Sequence, residues 1–201
     1  MRAAIHRRLL WRIQRVLGNA RLAWNEQFRL GVWDRTDCCE EVVRKVAGLA
    51  KGGKIVEFGC GPGMLPRRLP AGAFTSYTGI DIADYAIDEA KRLCAEAGLE
   101  NCSFLHGDMA SWAGGRDIDV IVLEECLYYL RGKQLLRFCE ICRDSLAVPH
   151  GVALVIVHSH HKHRSTIRTC RKVFPKSVHE FYGSRTFLTL HRCASDDPSL
   201  I

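Results

Sequence analysis

Glu57 is followed by Gly59, Gly61 and Gly63, a carboxylate and then a glycine at every second position. The apolar run 54–58 before them reads as a buried parallel strand. The bend after it lacks Cβ atoms where the backbone must come close to a ligand. A dinucleotide fingerprint would need its third glycine where Met64 stands, and Pro62 removes an N–H that a pyrophosphate would use. A pyrophosphate cradle is therefore disfavoured. Eighteen residues past Gly63, a second apolar strand ends in Asp81, and a carboxylate at that tip can accept both ribose hydroxyl protons. The competing reading makes Asp81 a cap for a helix beginning near Ala83. Asp108, after a third short strand, is in the same way open to an ordinary turn role. A fourth buried strand then runs into Glu124-Glu125-Cys126-Leu127-Tyr128-Tyr129-Leu130. It is the series of strand-end acids in order behind a glycine bend that favours a nucleoside site over the separate structural roles.

The run from Glu57 to Gly63 resembles motif I of the class I S-adenosylmethionine-dependent methyltransferases, acidic-x-Gly-x-Gly-x-Gly. The segment 124–130 is similar to the Asn-Glu-x-Leu-Tyr-Tyr-Leu signature of a bacterial subgroup of that family, with Glu124 in place of the usual Asn and Glu125 matching its Glu. Trp24-Asn25-Glu26-Gln27-Phe28 with Gly31-Val32-Trp33-Asp34 looks like the opening segment of the same subgroup, so the resemblance spans roughly 24–193. It implies S-adenosyl-L-methionine as cofactor and S-adenosyl-L-homocysteine as product. It further implies that Glu57, Gly59, Cys60, Gly61 and Gly63 wrap the methionine part, that Asp81 holds the ribose with Ile82 against the adenine, and that Asp108 reads the adenine amino group with Met109 packed on the ring. Glu124 would touch cofactor or substrate. Trp33 would close over the methionine end with a π-face toward the sulfonium, or else simply pack in the core.

Methyl transfer from a sulfonium is an in-line displacement, so the protein must hold the acceptor atom behind the methyl carbon, exclude water and, for a hydroxyl acceptor, remove a proton. Such groups come from the ends of strands four and five. Glu125, Tyr128 and His158 are the candidates, with His158 or Glu125 as general base.

Alternation of strands and helices implies an α/β, doubly wound, mostly parallel seven-stranded sheet with an antiparallel C-terminal hairpin, the Rossmann-like class I methyltransferase fold. Helices are expected over 38–50, 65–69, 85–97, 132–146 and 163–173. Strands are expected over 54–58, 76–81, 102–105, 119–123 and 152–158, with a hairpin of 178–182 and 186–192 around Gly183-Ser184. Residues 1–36 read as a basic N-terminal helical extension or cap, 37–193 as the methyltransferase domain and 194–201 as a loose tail.

Length and composition fit one domain, with 201 residues of which 47% are hydrophobic. No apolar run reaches the length of a membrane span, and the Arg-rich start lacks a secretory h-region and cleavage site, so the cytoplasm is expected. Charge gathers at the two ends: residues 1–35 carry eight Arg against Glu26 and Asp34, residues 160–201 carry eight bases against three acids, and the middle is net acidic, within a total of +7. The favoured partner is a small-molecule or glycan-type acceptor, with the basic ends open to an anionic one. An RNA methyltransferase using those ends is the nearer rival, although no Asn/Asp-Pro-Pro-aromatic motif follows strand four. A non-catalytic nucleoside-binding protein is the more distant one. Residues 1–17 alternate Arg with Ile, Leu and Val, as a cap over the sheet or a peripheral membrane anchor would. The ten cysteines lack framework spacing and read as reduced core residues. Cys139 and Cys142 share a helical face without a second pair to complete a zinc site, so no metal is expected. His158, His160, His161 and His163 read as a solvated loop entering a helix. The sequence leaves the oligomeric state open.

Overall fold

The computed structural model describes residues 20–33 and 38–193. The expectations placed on 1–17, on Asp34 and on the tail from 194 fall outside the described residues. In chain order the elements are α1 (Ala20–Arg29), α2 (Glu40–Ala50), β1 (Lys54–Phe58), α3 (Met64–Arg68), β2 (Ser76–Asp81), α4 (Asp84–Glu96), β3 (Cys102–His106), β4 (Val120–Glu124), α5 (Gly132–Ser145), β5 (Val152–His158), α6 (Arg164–Val173), β6 (Ser177–Tyr182) and β7 (Arg185–His191). Short 3-10 turns sit at Met109–Ser111, Leu127–Tyr129 and His160–His163.

The strands form one sheet in the order β3-β2-β1-β4-β5-β7-β6. The pairs β1 with β2, β1 with β4, β2 with β3 and β4 with β5 are parallel, whereas β7 runs antiparallel to both β5 and β6. This is the expected seven-stranded, Rossmann-like sheet, and its order reverses between β1 and β4. A ligand crevice opens at the carboxyl ends of strands at such a reversal, which is where Gly59 and Glu124 stand.

Alternation along the central strands makes two cores. Ile121, Leu123, Ala153, Val155 and Val157 face α5 and α6, while Val120, Val122, Val152, Leu154 and Ile156 face the side of α2, α3 and α4. Val120, Ile121 and Val122 are fully buried. Strands covered on both faces read as continuous apolar runs, and each such side chain contributes about 1.5–3 kcal/mol relative to exposure. Cys139 and Cys142 lie buried on one face of α5, and neither forms a disulfide.

The helix α1 lies within residues 1–36, the stretch read as a helical extension or cap, and its role is positional. Arg21 grips Asp84 Oδ2 at 2.6 and 2.9 Å, Asn25 Nδ2 reaches the same oxygen at 3.3 Å, and Asn25 Oδ1 accepts from the Tyr85 backbone N–H at 2.8 Å. The Arg21 hydrogen bond holds the Asp84 carboxyl below the ordinary carboxylate range. A carboxylate in the first turn of α4 also meets that helix's positive end. By these contacts α1 is fixed across the carboxyl edge of the sheet.

Candidate active site

The glycine bend and the tip of β2 meet. Gly61 N–H donates to Asp81 Oδ2 at 3.0 Å, and Ala83 N–H donates to Asp81 Oδ1 at 2.9 Å. Asp81 is 7% exposed; burial raises its pKa, while the N–H groups of Ala83 and Gly61 oppose the shift. The bond to Ala83, the residue that opens α4, gives Asp81 a helix-start role as well. At the same time the carboxylate is strapped to the glycine loop at the wall of a cavity of about 870 Å³, a size that accommodates a nucleoside-sized ligand.

Gly59 has φ 70°, and a Cβ built there would stand 3.0 Å from Cys126 Cβ, so only glycine lets the chain turn under the loop after β4. Gly63 lies outside the cavity lining. Its added Cβ would come within 3.2 Å of Ala90, Cys94 and Phe104. The third glycine thus allows the start of α3 to press on α4 and β3, a packing role and not a cradling one.

Glu57 is buried and accepts from the Tyr77 hydroxyl. Burial pushes its carboxyl up to about 8, against the lowering effect of the Tyr77 hydrogen bond. Cys60, Asp81, Ile82, Asp108, Met109 and Glu124 also line the cavity. Asp108 caps the following 3-10 turn, its Oδ1 accepting from Ala110 N–H at 2.9 Å, so the turn role is realised at a position that borders the cavity as well.

At the other end of the cavity Glu125 takes φ 53°, an uncommon conformation for a side-chain-bearing residue. Its Oε2 accepts from the Tyr128 hydroxyl at 3.0 Å, while its buried Oε1 has no partner. The Tyr128 ring stacks on His163 with centroids 4.1 Å apart. Burial, first, raises the Tyr128 phenol above its ordinary value, and burial likewise raises Glu124, which Arg185 opposes.

The aromatic wall comes from α1 and the turn after it. Trp24 lies 5.8 Å from Trp33 and meets Tyr129 edge-on at 5.7 Å. Trp33 lines the cavity, and its buried indole N–H lacks a partner.

His158 is placed elsewhere. It is exposed at the end of β5, its Nδ1 is 3.1 Å from Ser184 Oγ in the hairpin turn, and it is not part of the cavity lining. Arg185, its register partner on β7, lines the cavity instead. Sequence reasoning passed over Arg185, and over Tyr129 and Cys126 inside a segment it had already singled out. The histidine cluster is also less solvated than expected, since His163 stacks on Tyr128 and His160 packs near His179 at 5.1 Å.

The residues present fit a nucleoside bearing an amino-acid tail. A Cβ-free cradle adjoins a strand-end carboxylate, and two buried polar atoms without partners, Trp33 Nε1 and Glu125 Oε1, belong to residues of the same lining. The fold is the Rossmann-like fold of class I methyltransferases.

Residues 55–149 match a family described as a methyltransferase domain. Trans-aconitate 2-methyltransferase of Klebsiella pneumoniae is 29% identical over 104 residues, which are 51% of this chain and 39% of that protein. An O-methyltransferase family protein from Burkholderia thailandensis superimposes with TM-score 0.65 at 15% identity, covering 88% of this chain and 60% of that one. The N-methyltransferase NodS from Bradyrhizobium japonicum, in complex with S-adenosyl-L-homocysteine, gives TM-score 0.60 at 20% identity over 77% of this chain and 86% of that one. The chain thus spans 39% of the length of the first and 60% of the second, under two thirds of each.

Proposed function

We propose that this chain is an S-adenosylmethionine-dependent methyltransferase acting on a small-molecule or glycan-type acceptor through oxygen or nitrogen. The observation that carries the reading is the 3.0 Å bond from Gly61 N–H to Asp81, which puts the bare-backbone bend and the ribose-binding type of carboxylate at one cavity. The match of 55–149 to a methyltransferase domain supports it. The relative's name, which specifies a small acceptor, agrees with a small-molecule substrate.

In this reading Gly59, Cys60 and Gly61 hold the methionine part with their backbone, Asp81 the ribose, and Ile82, Asp108 and Met109 the adenine. Trp24 and Trp33 screen the other end from water. When bound, S-adenosylmethionine supplies an activated methyl group. The acceptor then meets Glu124, Glu125 and Tyr128, where Glu125 takes a proton from a hydroxyl acceptor and Tyr128 fixes the orientation of its carboxylate. A neutral amine acceptor needs only the positioning.

Calorimetric titration of the cofactor into the purified chain tests the proposal. Binding heat and a raised melting temperature are expected. A titration carried to saturating concentration with neither would end it.

A further inference from the structure

A second concavity, of about 670 Å³, lies between α6 and the edge strand β6 and plays no part in the site above. One wall is the outer face of α6. Ile167, Cys170 and Val173 turn into the core, and the opposite face presents Arg164, Arg168, Arg171 and Lys172, all exposed. These four cations extend over about 12 Å of helix axis, at ~1.5 Å per residue. No carboxylate lines the groove. Among the described residues, no ion pair engages Arg168, Arg171 or Lys172. The one acid of β6, Glu180, pairs with Lys45 of α2.

The facing wall is made of rings. His179 lies 4.7 Å from Phe181 and 5.1 Å from His160, and His160 lies 5.7 Å from Phe181. Phe181 is 64% exposed although it belongs to a strand. Burial, followed by the charges of His160 and Arg171, lowers the His179 pKa, which favours its neutral ring. His160 Nδ1 and His179 Nε2 are buried without partners.

We propose that this groove docks a single strand of RNA, its phosphates on the α6 cations and its bases against the ring platform. The occupant follows from the division of the walls. A chain that alternates anions with flat rings satisfies both at once, and such grooves bind single strands by charge and stacking. An anionic bilayer would want cations and apolar groups in one plane, whereas here they face each other across a cleft. A polyanion without bases leaves Phe181 exposed. The docked strand would border the mouth of the first cavity, because the turn that carries His160 also carries His163, stacked on Tyr128.

Fluorescence anisotropy of the full chain with a labelled single-stranded RNA of about twelve nucleotides, a length near single-strand site sizes, tests this without cofactor or turnover. Phe181→Ala should weaken binding on the order of tenfold. Arg168→Ala with Arg171→Ala should weaken it further and reduce the salt slope by about 1.4. Both substitutions fall on exposed side chains, and unchanged melting temperatures confirm intact folds.

The proposal is overturned if the wild-type chain does not bind RNA, or if binding survives the arginine pair, which would assign it to other bases such as the arginines of residues 1–19. Equal binding of heparin with no effect of Phe181→Ala overturns it, as does binding to phosphatidylserine vesicles in preference to RNA. Loss of this proposal leaves the methyltransferase reading untouched, and a failed cofactor titration leaves the groove untouched.

Discussion

Asp81 Oδ2 and the Gly61 backbone N–H lie 3.0 Å apart, although twenty residues separate them in sequence. The bond makes one unit of the β1 bend and the β2 tip. The carboxylate that would hold a ribose is thereby oriented before any ligand arrives.

Replacing that carboxylate should therefore cost binding more than fold. Asp81→Ala is expected to weaken S-adenosylmethionine binding by about 1–3 kcal/mol, read by calorimetry. Unchanged affinity would remove Asp81 from the site.

The first and third glycines of the bend should respond differently. Gly59→Ala places a left-handed alanine, at roughly 1–2 kcal/mol of strain, 3.0 Å from Cys126 Cβ at the cavity wall, so cofactor affinity should fall. Gly63→Ala overpacks against Ala90, Cys94 and Phe104, at about 1–3 kcal/mol, so the melting temperature should fall by several degrees while the affinity of the folded protein persists. Equal effects on both readouts would contradict this division of labour.

Stability should decline as pH rises through the window set by Glu57. Its pKa is about 8 in the fold against 4.5 as the ordinary value. Below about 4.5 both folded and unfolded chains hold the proton, and between about 4.5 and 8 only the folded chain keeps it. The unfolded state therefore binds fewer protons, and stability drops with each step of pH until both states have lost theirs. Asp81 and Glu124, also raised by burial, act with the same sign. Glu57→Gln should flatten the slope in urea unfolding measured from pH 5 to 8; an unchanged slope would remove Glu57 as its source.

At the acceptor end, Tyr128→Phe deletes the donor to Glu125 Oε2. With an acceptor identified, turnover should fall on the order of a hundredfold, the lower end of the range for proton-handling groups, with cofactor affinity unchanged. Full turnover in this variant would place the acceptor elsewhere.

The sheet was legible because its middle strands are unbroken apolar runs ending at glycine or acid, and those ends fix the cavity floor. Side-chain direction beyond a strand end was not. His158 follows six buried residues of β5, and its place in the sequence alone puts it at the cavity end of the strand. The antiparallel return of β7 sets its actual surroundings, with Ser184 beside it and Arg185 at the wall. Such pairing joins residues whose spacing carries no signal. The docking of helix α1 was illegible for a related reason, since Arg21, Asn25 and Trp24 find partners in α4 and in the loop after β4.

Sixty-three residues separate Arg21 from the Asp84 that it grips. Chain leaving a ribosome exposes the tryptophan-bearing helix long before its docking place exists, and that docking place is itself the product of the first strand, crossover and second strand having come together. Trp24 meets Tyr129 from the loop after β4, so the aromatic wall closes only once the first four strands have been made.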